Sequence, residues 1–205
     1  MSSTPARIEV ADGSRVSSGA AVPVPELPGP VEELAAAAAE RLGWRGVVLP
    51  EMVLMGRKVV VVAELLADAH AERVCVGAGP EPDRATVSTW VWPEMDGRVP
   101  PAAVRIVGVL AVARHWRTAL ASAVPFARFG NAAAVLPTSV AFTHDYLANC
   151  LPRVRRYGVS VLLADQHREL TTDVAGRNET VPVEDTATTR WVNELVYERV
   201  LATAV

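Results

Sequence analysis

Side chains able to do chemistry are few in this chain, and their spacing excludes more reactions than it suggests. Lys58 is the only lysine among 20 cationic residues, the other 19 being arginine. Val59 follows it where a P-loop needs Ser or Thr, and any Schiff base would have to form on Lys58 itself. Cys75 and Cys150 cannot build a four-thiolate site and no C-x-x-C occurs, so both are expected to be buried free thiols. His70, His115, His144 and His167 lack the H-E-x-x-H or paired Cys/His spacing that zinc requires. His144-Asp145 has the outline of a metal dyad. It stands at an expected helix start, however, where Asp145 complements the helix dipole. No G-x-S-x-G occurs, Ser160 falls inside an expected strand, and no glycine fingerprint for a dinucleotide follows a strand.

The arginines are the more informative set. Residues 101–160 hold seven of them (105, 114, 117, 128, 153, 155 and 156) against a single acid, Asp145. Residues 165–205 hold eight acids against four arginines, and the whole chain is acidic at −3. A local basic face on an acidic protein points to directional binding of an anion. Arg114, Arg117, Arg128, Arg153, Arg155 and Arg156 are the candidate contacts. The alternative is that these arginines solvate helix surfaces and pair with the acidic C-terminal region.

The elements that would position them read as follows. A length of 205 residues, half apolar and about a fifth charged, suits one globular domain with a tail. Residues 1–29, with five serines, three glycines and four prolines, are expected to be a flexible tail. Residues 30–205 then form a single α/β domain. A helix is expected over about 30–42, with Glu32 and Glu33 in its first turn and Gly43 stopping it. Strands follow at 47–54 and 58–63, then a segment, 64–73, that fits a helix or a loop. Further strands are expected at 74–76 and 85–92. The almost continuous apolar run 104–113 predicts a central strand buried on both faces. After it come a helix from about His115 that Pro125 bends or ends, a strand 132–136, a helix 144–156, a strand 159–164, a turn at 165–167 and a last helix 186–202. This order predicts an α/β fold: a mixed central sheet flanked by helices.

Three runs carry a resemblance: Val104-Arg-Ile-Val-Gly-Val-Leu-Ala-Val-Ala-Arg-His-Trp-Arg-Thr-Ala-Leu120, Ala132-Ala-Ala-Val-Leu-Pro137, and Arg155-Arg-Tyr-Gly-Val-Ser-Val-Leu-Leu-Ala164. With Gly43-Trp44 and Glu51 upstream, the chain resembles the PD-(D/E)XK nucleases over about residues 31–165, with insertions around 64–103. The resemblance implies a restriction-endonuclease-like sandwich. It also implies an E-x-K motif, but in this register the glutamate falls on Leu110 and the lysine on Val112. The metal-binding aspartate falls near Val59 or Val60, or near Ser88 or Thr89 if the later strand aligns. A glutamine on the next helix falls near Ser122. Glu51 survives, with Glu33 as a helix carboxylate.

Phosphodiester hydrolysis in this family implies Mg²⁺ held by carboxylate oxygens, and apolar groups at the ligand face turn a wet cleft into dry packing. The expectation is therefore a catalytically inactive nuclease-like binding or scaffold module without a cofactor, engaging DNA or a protein partner through the arginine face. The alternative is a divergent nuclease using Mg²⁺ with relocated carboxylates, Glu33 and Glu51. Trp116 is expected to pack between its helix and the sheet. The last helix, apolar at Val192, Leu195, Val196 and Val200, is expected to close over its own sheet, favouring a monomer over a homodimer. No stretch has signal-peptide or membrane-helix length, so a cytoplasmic protein is expected.

Overall fold

The computed structural model describes residues 25–177 and 184–203. Helix α1 (Val31–Arg41) begins after Pro30 with Glu32 and Glu33 in its first turn. Gly43, at φ +68°, ends it, and the Trp44 amide turns back to the Ala39 carbonyl at 2.9 Å. The expected strand 47–54 is two short strands, β1 (Val47–Val48) and β2 (Met52–Leu54), separated around Pro50, which has no N–H to give to a ladder. Both pair antiparallel with β3 (Arg57–Leu65), reached from β2 through Met55 and Gly56, both at positive φ as a tight hairpin turn requires.

Residues 66–103 depart most from expectation. The strands expected at 74–76 and 85–92 are absent. Helix α2 (Ala67–Cys75) takes the ambiguous segment, and α3 (Arg84–Thr89) replaces the second strand. The reason at α3 is a cap: the Asp83 carboxylate accepts from the Thr86 amide at 2.8 Å and from its hydroxyl at 2.7 Å, which outweighs a β-branched run. Cys75, expected to be buried, is exposed at the end of α2, whereas Cys150 is buried.

Strand β4 (Val104–Val112) is followed by α4 (Trp116–Ala123), β5 (Asn131–Pro137), the short α5 (Thr138–Ala141), α6 (Leu151–Tyr157) and β6 (Ser160–Ala164). The helix expected over 144–156 opens with a π-helical turn, Tyr146–Cys150. Pro152 lies just beyond it, and its ring and missing N–H disrupt the α-helical ladder in the preceding turn. Strand β7 (Leu170–Val174) was not expected, and α7 (Ala187–Thr203) is the last element.

The sheet runs β1-β3-β4-β5-β6-β7, with β2 also on β3. β3 and β4 are antiparallel, β4, β5 and β6 are parallel, and β7 is antiparallel to β6. Helix α1 covers one face, setting Leu34, Ala35 and Ala38 against Val60, Val62, Leu110 and Val135. On the other face α7 lays Val192, Val196 and Val200 over Val59, Val61 and Val109, so the last helix does close over its own sheet. Beside it, α4 and α6 pack on Ala111, Ala134 and Val161. This is an α/β sandwich with a mixed sheet. Residues 1–24 of the expected tail lie outside the described residues. Leu27 packs partly buried against the α1 side of the core, and the Arg168 side chain lies against Gly29. Among the described residues no helix is long and apolar enough to cross a membrane.

Candidate functional site

The carboxyl ends of β4, β5 and β6 share one end of the sheet, where α/β folds commonly place their chemistry. Leu110 pairs with Val60 of β3 and Ala133 of β5, and its side chain is fully buried under α1. Val112, paired with Val135, packs partly buried on the same cluster. The two positions given to the motif's glutamate and lysine therefore share one hydrocarbon-filled face. Val60 belongs to that face and Val59 to the opposite one. Ser88 and Thr89 are on helix α3, away from any strand, and Ser122 is buried in α4.

The surviving carboxylates are each held by a separate cation. Glu51, between β1 and β2, lies 3.7 Å from the ammonium of Lys58. Glu33, in the first turn of α1, accepts from Arg168 at 2.6 Å. Mg²⁺ needs several hard oxygens converging on one point. Glu33 and Glu51 stand on separate elements beside separate cations, and no group of three His, Cys, Asp or Glu side chains among the described residues offers such a set.

The arginines distribute less uniformly than their sequence clustering suggests. Arg117 of α4 and Arg153 of α6 come together over the indole of Trp116, their guanidinium carbons 4.5 and 5.4 Å from the ring centroid. These three residues, with Leu120, Val124 and Tyr157, line a shallow groove of about 350 Å³. Trp116 is buried, and its Nε1–H donates to Asp145 at 2.8 Å. Asp145 also accepts from Arg117 at 2.7 Å and from Asn149 at 2.9 Å. The Trp116 hydrogen bond, chiefly, holds its carboxyl below the usual carboxylate range. Asp145 stands at the helix start, as expected, and in addition ties α4 to the π turn, while His144 beside it is exposed. Arg114, Arg155 and Arg156 are exposed with no ion-pair partner among the described residues, and Arg128 lies over the Phe129 ring. None of the arginines of residues 101–160 pairs with an acid of the C-terminal region among those residues. Arg105 meets Glu64 and Arg117 meets Asp145.

Behind this face, burial and the neighbouring Asp145 and Asp173 charges push the Cys150 thiol up to about 11. Tyr146, whose hydroxyl donates to Asp173, is raised as well, by burial first and by that carboxylate second.

Sequence reasoning missed the most heavily bonded polar side chain among the described residues. Arg73 of α2 is fully buried and forks onto both oxygens of Glu194 in α7, at 2.6 and 2.7 Å. Its remaining donors reach the carbonyls of Ala78, Gly79 and Pro101, and its guanidinium lies 4.8 Å from the Tyr197 ring centroid. His70 Nδ1 and the Tyr197 hydroxyl are hydrogen-bonded at 2.8 Å alongside. Glu194 interrupts the apolar side of a helix, which was a readable signal. Its partner lies 121 residues away and was not readable. Beside this pair, Trp90, Trp92 and α7 enclose a cavity of about 700 Å³ that no sequence motif marked. The chain matches no protein-family model, no curated protein and no solved structure.

Proposed function

We propose that this chain is a catalytically silent, restriction-endonuclease-like binding module that engages duplex DNA through the arginine-bearing outer side of α4 and α6. The observation that carries the reading is Leu110, wholly buried beneath α1 where the family's motif would place a metal-binding glutamate. The element order supports it too: a helix, antiparallel strands ending in β4, then α4 and a parallel β5. A leucine sealed into the core cannot ligate a cation, and the surviving Glu33 and Glu51 are engaged by Arg168 and Lys58. Arg114, Arg153, Arg155 and Arg156 supply charge free of carboxylate partners among the described residues, the sequence-independent component of phosphate-backbone binding.

The test combines calorimetric titration with Mn²⁺, incubation with supercoiled plasmid, and anisotropy of a labelled duplex at two salt concentrations. Expected are no metal-dependent cleavage and an affinity that falls steeply with salt, by a log–log slope of about −0.9 per phosphate contact. Arg153→Ser with Arg156→Ser should weaken binding and flatten that slope. Cleavage abolished by Glu51→Ala would establish a relocated active site instead, and absence of salt-sensitive DNA binding would overturn the nucleic-acid assignment.

A further inference from the structure

Independently of that reading, we propose that the cavity between residues 90–102 and α7 is a binding site for an organic cation, a guanidinium or alkylammonium group. Its size falls in the range of small-molecule sites, about 300–1,000 Å³. Trp90 and Trp92 form part of its wall, and Trp92 is 58 % exposed. More than half of the Trp92 surface is thus open to solvent at the cavity wall.

Charge decides the class of ligand. The cavity is lined by Asp96, Glu184, Asp185 and Glu194 against one arginine, Arg190. Arg190 is spoken for: its guanidinium donates to both oxygens of Asp185 and reaches the Trp90 carbonyl at 3.5 Å. Glu194 is consumed by buried Arg73. Asp96 and Glu184 are left exposed, with no side-chain hydrogen bond or ion pair among the described residues. Arg190, held mainly by its hydrogen bonds to Asp185, also feels the Asp96 charge, so the site presents one carboxylate without any facing cation, Glu184, and one, Asp96, without a hydrogen-bonded cation, beside two indoles. An anion would meet repulsion there. A neutral apolar ligand would leave the carboxylates desolvated. A cation gains carboxylate attraction and the company of the two lining indoles, and tryptophan is the strongest aromatic partner for a cation. The wall is stiff, since Pro93, Pro100 and Pro101 line it and the Arg73–Pro101 hydrogen bond fixes its far side to α2. The same chemistry could arrive as a free amine or as the arginine of a partner protein.

Calorimetry on the full chain at low salt distinguishes these sources with two probes, free agmatine and the capped peptide acetyl-Gly-Arg-Gly-amide, against the uncharged acetyl-Gly-Gln-Gly-amide. Saturable heat is expected from at least one cationic probe and none from the glutamine peptide. Tighter binding of agmatine assigns the site to small amines, and tighter binding of the peptide assigns it to a partner's side chain. Trp92→Ala and the pair Asp96→Asn/Glu184→Gln should each weaken binding by about tenfold. All three side chains are surface groups, so the melting temperature should stay near that of the unaltered chain. The proposal fails if neither cation binds above the uncharged peptide, or if Trp92→Ala binds as the unaltered chain does.

Discussion

Trp116 is packed by the core and bonded at its edge, with Asp145 on its Nε1–H and Arg117 and Arg153 over the ring. Trp116→Ala should cost about 3–5 kcal/mol in denaturant unfolding, through lost packing. The carboxylate adds a pH signature. Its pKa is depressed in the folded state, mainly by the Trp116 hydrogen bond, so its contribution is complete above the ordinary carboxylate range. It is lost as pH falls through the depressed folded value. Thermal melts between neutral and acid pH should therefore fall less steeply for Asp145→Asn and for Trp116→Phe than for the unaltered chain. A common slope in all three would show that the bond contributes nothing. The buried thiol of Cys150 behaves oppositely. Cys150 is raised from 9.0 to about 11 by burial, so its contribution is intact below the ordinary value and is lost as pH rises toward the folded one. At mildly alkaline pH a thiol reagent should label one cysteine of the folded chain, Cys75, and both after denaturation.

Helix α2 and helix α7 are joined by a charged pair that excludes water, and such pairs respond asymmetrically to substitution. Arg73→Ala should destabilise by about 3–5 kcal/mol because Glu194 is then buried without a cation. Arg73→Met with Glu194→Leu should recover most of that in the same unfolding experiment. If the double substitution is as damaging as the single, the pair is worth more than hydrocarbon packing. At β4 the constraint is steric. A Cβ at Gly108 would stand 2.4 Å from the Trp44 ring, so Gly108→Ala should cost about 1–3 kcal/mol. Replacing Trp44 by Leu as well should relieve it. These elements differ in how far the sequence exposed them. The run 104–113 was readable because burial on both faces leaves Arg105, exposed beside Glu64, as its single polar position. The apolar stripe of α7 was readable for the opposite reason, its period. Residues 85–92 misled because a β-branched composition is a weaker determinant than one well-placed Asp83 cap. Strand β7 escaped notice because its alternation rests on Leu170, Thr172 and Val174, all only half-buried at the sheet edge. Of the candidate site, residue types at 110 and 112 were legible. The convergence of Arg117 and Arg153 on one indole depended on the packing angle of α4 and α6, which no local pattern carries.

Across the whole molecule, the sheet is closed on one side by its first described helix and on the other by its last. A truncation ending before Thr186 removes Val192, Val196, Tyr197 and Val200 from the core and strands Arg73. Such a chain should lose cooperative unfolding by circular dichroism. A folded, truncated monomer would show that α7 is dispensable. The same geometry has a kinetic side. The β2–β3 hairpin is contiguous in sequence and can form early, and β4 joins it across residues 66–103, yet Val59, Val61, Ile106 and Val109 stay open to water until α7 arrives from the far end of the described chain. Closing a loop of this length is slow compared with local pairing. Until it closes, an apolar half-sheet is available for pairing with other chains, so the vulnerable species in concentrated solution is the half-closed intermediate rather than the unfolded polymer.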